Sequence, residues 1–157
     1  MKNLLVIRNA EERDVPEIFR LLEIYAKQGI VLRRSEDDIR FYLGNFLVAE
    51  RGGLIRGCAA VRDFGGNLYE VRSVVVAPED QGKGVGRAMI EAIIAGMRLR
   101  SGRWRLFTLT GQPEFFMRLG FHIVDRRQFP EKIWSDCANC PKNECCDEVA
   151  LMIEPEG

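Results

Sequence analysis

Val74-Val75-Val76-Ala77-Pro78-Glu79-Asp80-Gln81-Gly82-Lys83-Gly84-Val85-Gly86 is the stretch that decides how this chain folds. A run of β-branched residues meets a proline, which has no N–H to give to a ladder and so ends a strand. A glycine-rich turn follows. Beyond it, Val85, Met89, Ala92, Ile93 and Met97 recur at helical spacing, to about Arg100. Strand, glycine turn and helix start together build a place for phosphate. Glycine carries no Cβ, so its backbone can approach a ligand closely. The first N–H groups of a helix have no partner within it, and the helix dipole adds roughly half a positive charge there. The spacing is neither G-x-x-x-x-G-K-[ST] nor G-x-G-x-x-G. It is Q-x-x-G-x-G, with V-x-P in front.

Working outward, Leu68 to Ala77 reads as one long strand before the turn. Phe46–Glu50 and Ile55–Val61 read as two more, joined by the hairpin signal Arg51-Gly52-Gly53. Leu4–Ile7 is a short first strand. Asp14-x-x-Glu17 fits a capping box with Pro16 in the first turn, so a helix is expected from Asp14. Its apolar face is Val15, Ile18, Phe19, Leu22 and Tyr25, and Gly29 is its stop. Ser35-x-x-Asp38 predicts a second helix that buries Ile39, Tyr42 and Leu43. On the C-terminal side, Trp104–Thr110 is a strand and Pro113–Leu119 a short helix stopped by Gly120. Phe121–Val124 and Val149–Ile153 are the last strands.

The chain has 157 residues, 46% of them hydrophobic, enough for one domain with a sizeable core. Its 23 Lys+Arg balance 23 Asp+Glu, so the basic excess of a nucleic-acid binder is absent. No apolar run approaches the ~18 residues of a membrane span, and the N-terminal apolar run is too short for a signal peptide. A cytoplasmic protein is expected. Its five cysteines are then expected free or metal-bound rather than paired.

The order β-α-α-β-β-β-α-β-α-β-β, the Q-x-x-G-x-G loop after V-x-P, and Phe115-Phe116-Met117-Arg118-Leu119-Gly120-Phe121 together resemble the GNAT superfamily of N-acetyltransferases. The last segment is similar to the family's (F)Y-x-x-x-G-F motif, and the resemblance covers nearly the whole chain as a single domain, 1–157. It implies the α/β (α+β) GNAT fold: a mixed, mostly antiparallel twisted sheet of six or seven strands with about four helices, splayed at the strand that receives acetyl-CoA. It also implies a set of roles. Backbone N–H groups of Gly82, Gly84, Gly86 and Arg87 would hold the pyrophosphate of acetyl-CoA, with Gln81 and Lys83 adding side-chain contacts. A bulge before the loop would free the N–H of Val74 for the acetyl carbonyl, and Val76 would pair with the pantetheine arm. Glu70, four residues before Val74, falls where the family often has a general base. Alternation places Glu70, Arg72 and Val74 on one strand face and Val71, Ser73 and Val75 on the other, until a bulge intervenes. The other reading of Glu70 is a strand glutamate paired with Arg62. Phe116 departs from the family pattern. Many relatives carry a tyrosine there that protonates the leaving thiolate; a phenyl ring has no donor, although it can pack near the sulfur.

Three segments resemble one branch, the acetyltransferase domain of N-acetylglutamate synthase: Val31-Leu32-Arg33-Arg34-Ser35 with Asp37-Asp38-Ile39; Phe46-Leu47-Val48-Ala49-Glu50; and Glu70 to Val76. Glutamate carries two carboxylates, which arginine forks suit. The acceptor candidates are Arg34 first, then Arg72 and Arg33. The implied reaction acetylates the α-amine of L-glutamate for arginine biosynthesis. Another amino acid, a polyamine, a protein N-terminus, or acetyl-CoA binding without catalysis remain open. A homodimer through the last strands is suggested by the resemblance alone.

Cys137, Cys140, Cys145 and Cys146 crowd one loop, about residues 133–148. C-x-x-C is a chelating spacing, and zinc takes four thiolates. Adjacent Cys145 and Cys146 are poorly placed to face one ion, so three of the four with another ligand is a further arrangement for a structural zinc, and a loop of free thiols is the other reading. Cys58 is expected in the core.

Overall fold

The computed structural model describes residues 4–125 and 148–155. The chain forms two compact units, Met1–Val61 with Arg72–Leu99, and Arg62–Val71 with Arg100–Gly157. The described elements follow the expected order: β1 (Leu5–Asn9), α1 (Val15–Ala26), α2 (Glu36–Phe41), β2 (Phe46–Arg51), β3 (Leu54–Asp63), β4 (Leu68–Val76), α3 (Val85–Arg98), β5 (Arg105–Thr110), α4 (Pro113–Met117), β6 (His122–Ile123) and β7 (Val149–Ile153). Strand β4 begins in the second unit and ends in the first.

In the first unit the strands run β1-β2-β3-β4. Both β1–β2 and β2–β3 are antiparallel. The β2–β3 turn has φ +61° at Gly52 and +80° at Gly53. Helix α1 buries Val15, Ile18, Leu21, Leu22 and Tyr25, while Phe19 is half-buried. They pack with Ile39 of α2, Phe46 and Val48 of β2, Cys58 of β3 and Val75 of β4. Helix α3 buries Val85, Met89, Ile90, Ile93, Ile94 and Met97. It comes so close to β3 that a Cβ on Gly57 would lie 3.0 Å from Met89 Cε and from the Val75 carbonyl oxygen. Gly57→Ala is therefore expected to destabilise the chain by about 1–3 kcal/mol through overpacking. Denaturant unfolding checks this, and an unchanged midpoint would show that the close approach relaxes freely.

The start of α1 differs from expectation. A short 3-10 turn, Glu12–Asp14, precedes it, with a capping box between Glu11 and Asp14. The Asp14 carboxylate accepts from the Glu11 N–H at 2.7 Å and from both terminal nitrogens of Arg8, at 2.8 and 3.0 Å. These bonds hold its carboxyl below the ordinary carboxylate pKa range, the Arg8 pair being the main cause. Asp14 is the N-cap residue of α1, but its side chain makes no cap bond to that helix. The second helix start is as expected: the Ser35 hydroxyl accepts from the Asp38 N–H at 3.0 Å. Ile39 is buried, but Tyr42 lies outside the core, 39% exposed.

In the second unit the strands run β4-β5-β7-β6. β4 and β5 are parallel and pair from Leu68↔Arg105 to Val71↔Thr108. β7 is antiparallel to β5 and β6. Leu68, Phe107 and Met152 form one buried cluster of this unit, packed by Phe64, Leu109 and Val124. Among the described residues the sheet is thus mixed, with seven strands, and four α-helices accompany it. The register of β5 against β4 ends at Val71, although β4 continues to Val76. The pairing stops where β4 passes from the second unit into the first.

Candidate active site

The end of the β4–β5 pairing is followed by a change in backbone. Ser73 has φ +57° in the middle of β4. A non-glycine residue in the left-handed region carries strain of order 1–3 kcal/mol and marks a bulge. Burial along β4 also changes around this point: Leu68 to Val71 are all buried, Arg72 to Val74 half-buried, and Val75 buried again. The Ser73 carbonyl accepts the Cys58 thiol at 3.8 Å. Cys58 is fully buried, and burial pushes its thiol up to about 12, which keeps it a neutral donor.

Arg34 reaches the bulge. Its Nη1 donates to Ser73 Oγ at 3.3 Å, and its Nε donates to Asp38 Oδ2 at 2.7 Å. The guanidinium carbon lies 5.1 Å from the Phe46 ring centroid and 5.7 Å from that of Tyr42. Such cation–π packing fixes a planar cation. Its side chain is only 13% exposed. Arg33 points elsewhere: it is 63% exposed and pairs with Glu23 of α1 at 3.4 Å. Arg72 is half-buried on β4.

Past β4 the chain makes a 3-10 turn, Pro78–Asp80. Gly82 has φ +78° and Gly84 +85°, conformations that need glycine. A Cβ at either would meet nothing within 4 Å, so the turn presents open backbone. The Lys83 N–H is taken by the Asp80 carbonyl at 3.3 Å. Ala88 bonds back to the Gly84 carbonyl at 3.0 Å, opening the helical ladder. The N–H groups of Gly84, Val85, Gly86 and Arg87 precede that first bond. The cradle therefore fits a phosphate group. Lys83 is exposed, and Arg87 pairs with Glu91 at 3.0 Å.

Two supports of this loop escaped the sequence reading. Asp80 is buried between Arg56, at 2.6 Å, and Arg51, at 3.3 Å. The Arg56 bond holds its carboxyl below the ordinary carboxylate pKa range. The Tyr25 hydroxyl donates to the Val76 carbonyl at 2.5 Å and accepts from the Gln81 side-chain amide.

In the second unit Glu70 is 6% exposed on β4. Phe116 is buried, with its ring edge-to-face against Phe115 at 5.1 Å and Phe121 at 5.2 Å. The four loop cysteines lie outside the described residues, and among those described there is no cluster suited to a metal. No described helix is long and apolar enough to cross a membrane.

Residues 42–123, more than half of the chain, match the acetyltransferase (GNAT) domain family. The chain belongs to the GNAT acetyltransferases. It is 39% identical over 146 residues to an uncharacterized N-acetyltransferase of Chlorobaculum tepidum, covering 93% of this GNAT chain and 94% of that one. It is 33% identical over 127 residues to an amino-acid acetyltransferase of Neisseria meningitidis, covering 80% of this chain but only 29% of that larger protein. The N-acetylglutamate synthase of Neisseria gonorrhoeae, crystallised with coenzyme A and N-acetyl-glutamate, superposes on all of this chain with a TM-score of 0.86 at 26% identity, over 36% of its own length.

Proposed function

We propose that this chain transfers the acetyl group of acetyl-CoA to the α-amine of L-glutamate, giving N-acetyl-L-glutamate and CoA, as one GNAT domain. The observation that carries the acceptor is Arg34, a largely shielded guanidinium anchored by its Nε and bonded to Ser73 of β4. A fork fixed in this way is prepared for a carboxylate. Similarity to an amino-acid acetyltransferase and to an N-acetylglutamate synthase supports the choice of glutamate.

In this reading the N–H groups of Gly82, Gly84, Gly86 and Arg87 hold the pyrophosphate, and β4 at Val76 receives the pantetheine arm. Lys83 adds charge. The Val74 N–H, just past the bulge, polarises the thioester carbonyl and stabilises the oxyanion. Glu70 takes the proton of the amine directly or through water. The amine nitrogen then bonds to the acetyl carbon, the C–S bond breaks, and the electron pair leaves on sulfur. Phe116 offers no proton, so CoA leaves as the thiolate; an ordinary thiol acidity near 8.5 makes that a tolerable leaving group. Arg72 assists Arg34 with the second carboxylate, and Arg33, tied to Glu23, contributes least.

CoA release measured with glutamate, glutamine, aspartate, lysine, ornithine and a polyamine tests this. The expected result is turnover with glutamate at least tenfold above every other acceptor. Equal or greater turnover with lysine or a polyamine would overturn the acceptor, because those cations need carboxylates where this chain has arginines.

A further inference from the structure

We infer that Tyr25 is a positioning residue for the acyl-CoA, and that Gln81 serves the cofactor through Tyr25 rather than by touching phosphate. This rests on the acyl-CoA reading given above. Tyr25 stands on α1, in the core of the first unit, only 7% exposed. Its one hydroxyl joins two points that are far apart in sequence. It donates to the carbonyl of Val76, the last residue of β4, and accepts from the side-chain amide of Gln81, the first residue of the glycine loop. Between those points lie the four residues Ala77 to Asp80, themselves fixed to β3. The Ala77 N–H donates to the Arg56 carbonyl at 2.8 Å, and the Asp80 carboxylate holds the Arg56 side chain.

The consequence concerns distance. The strand end that takes the pantetheine and the loop that takes the pyrophosphate must keep one spacing, because the ligand has one length between those groups. Backbone pairing sets the strand, but Gly82 and Gly84 leave the loop entry soft. The bond from Gln81 to Tyr25 removes that freedom before the ligand arrives, and preorganisation of this kind appears as affinity. The bond also engages one of the two N–H groups of the Gln81 amide and ties that exposed side chain to Tyr25. Burial pushes the Tyr25 phenol above its ordinary pKa, so the hydroxyl keeps its proton for Val76 across the working pH range.

Calorimetric titration of CoA into the purified chain, with no acceptor present, tests the inference. Tyr25→Phe keeps the buried ring and removes only the hydroxyl. It is expected to bind CoA about three- to tenfold more weakly, the size of one net hydrogen bond. In turnover, KM for acetyl-CoA should rise by the same factor while kcat stays within twofold. A merely structural tyrosine would lower the unfolding midpoint and leave that split unchanged. Gln81→Ala, at an exposed position, should weaken CoA to a similar extent, and the double variant no further than either single one. Multiplying losses would mean that Gln81 meets the ligand on its own, and equal CoA affinity in Tyr25→Phe and the native chain would remove the clamp; either overturns the inference. A native chain that binds no CoA would instead sink the acyl-CoA reading, and the inference with it.

Discussion

Glu70→Gln is expected to lower kcat with glutamate by about 10²- to 10⁴-fold at neutral pH, the range of a lost general base. Glutamine keeps the shape and hydrogen-bonding capacity of the side chain but cannot accept the amine's proton. Glu70 is 6% exposed, so bulk water has poor access to replace it. Affinity for acetyl-CoA should be unchanged, because the substitution leaves the β4 backbone and the glycine loop as they are. The deficit should also shrink as pH rises, since an amine that has already lost its proton needs no base. Single-turnover rates across pH for the native chain and the variant provide the check. A kcat within threefold of native would assign the proton to another group and leave Glu70 a structural member of β4.

The parts of this molecule that were legible in the sequence are those whose causes are local. Proline and glycine punctuate the chain by their own backbone preferences, so the end of β4, the β2–β3 turn and the opening of α3 fall where expected. Ser35 caps α2 because its hydroxyl needs only the N–H three residues on. What stayed hidden depends on partners that are remote in the chain. Asp14 has the composition of a cap, yet Arg8 on β1 claims its carboxylate. Tyr25 fits a core helix face by period alone, and nothing local shows that its hydroxyl meets Val76, 51 residues away. Tyr42 matches the buried period of α2 but lies against the Arg34 guanidinium, half in solvent. The bulge was expected only through the family resemblance. Its residue, Ser73, bears none of the usual marks of a left-handed conformation, which glycine, asparagine or aspartate would have supplied. Asp80 stood unremarked within the quoted motif, because a carboxylate next to a proline turn reads as solvated until Arg51 and Arg56 are seen to enclose it.

Arg34→Ala should cost about 2–4 kcal/mol of transition-state binding for glutamate, roughly 30- to 1,000-fold in kcat/KM, most of it in KM. The magnitude follows from how the cation is held. A surface arginine that must be ordered by its ligand returns little, because side-chain entropy and water offset the attraction. Arg34 is ordered in advance by Asp38, Ser73 and two aromatic rings. Binding of a carboxylate therefore spends little on immobilisation and gains two charge-assisted hydrogen bonds. Arg34→Lys should recover only part of the loss, since an ammonium has no fork and cannot hold Asp38 and a substrate carboxylate in one plane. Acetyl-CoA affinity serves as the internal control and should stay native in both variants. Arg33→Ala, which removes an exposed arginine tied to Glu23, should change kcat/KM by less than threefold. If Arg34→Ala keeps native kcat/KM for glutamate, the acceptor carboxylate binds elsewhere on this chain. If both arginine variants lose activity equally, the carboxylate is recognised by diffuse positive charge rather than by one fixed fork.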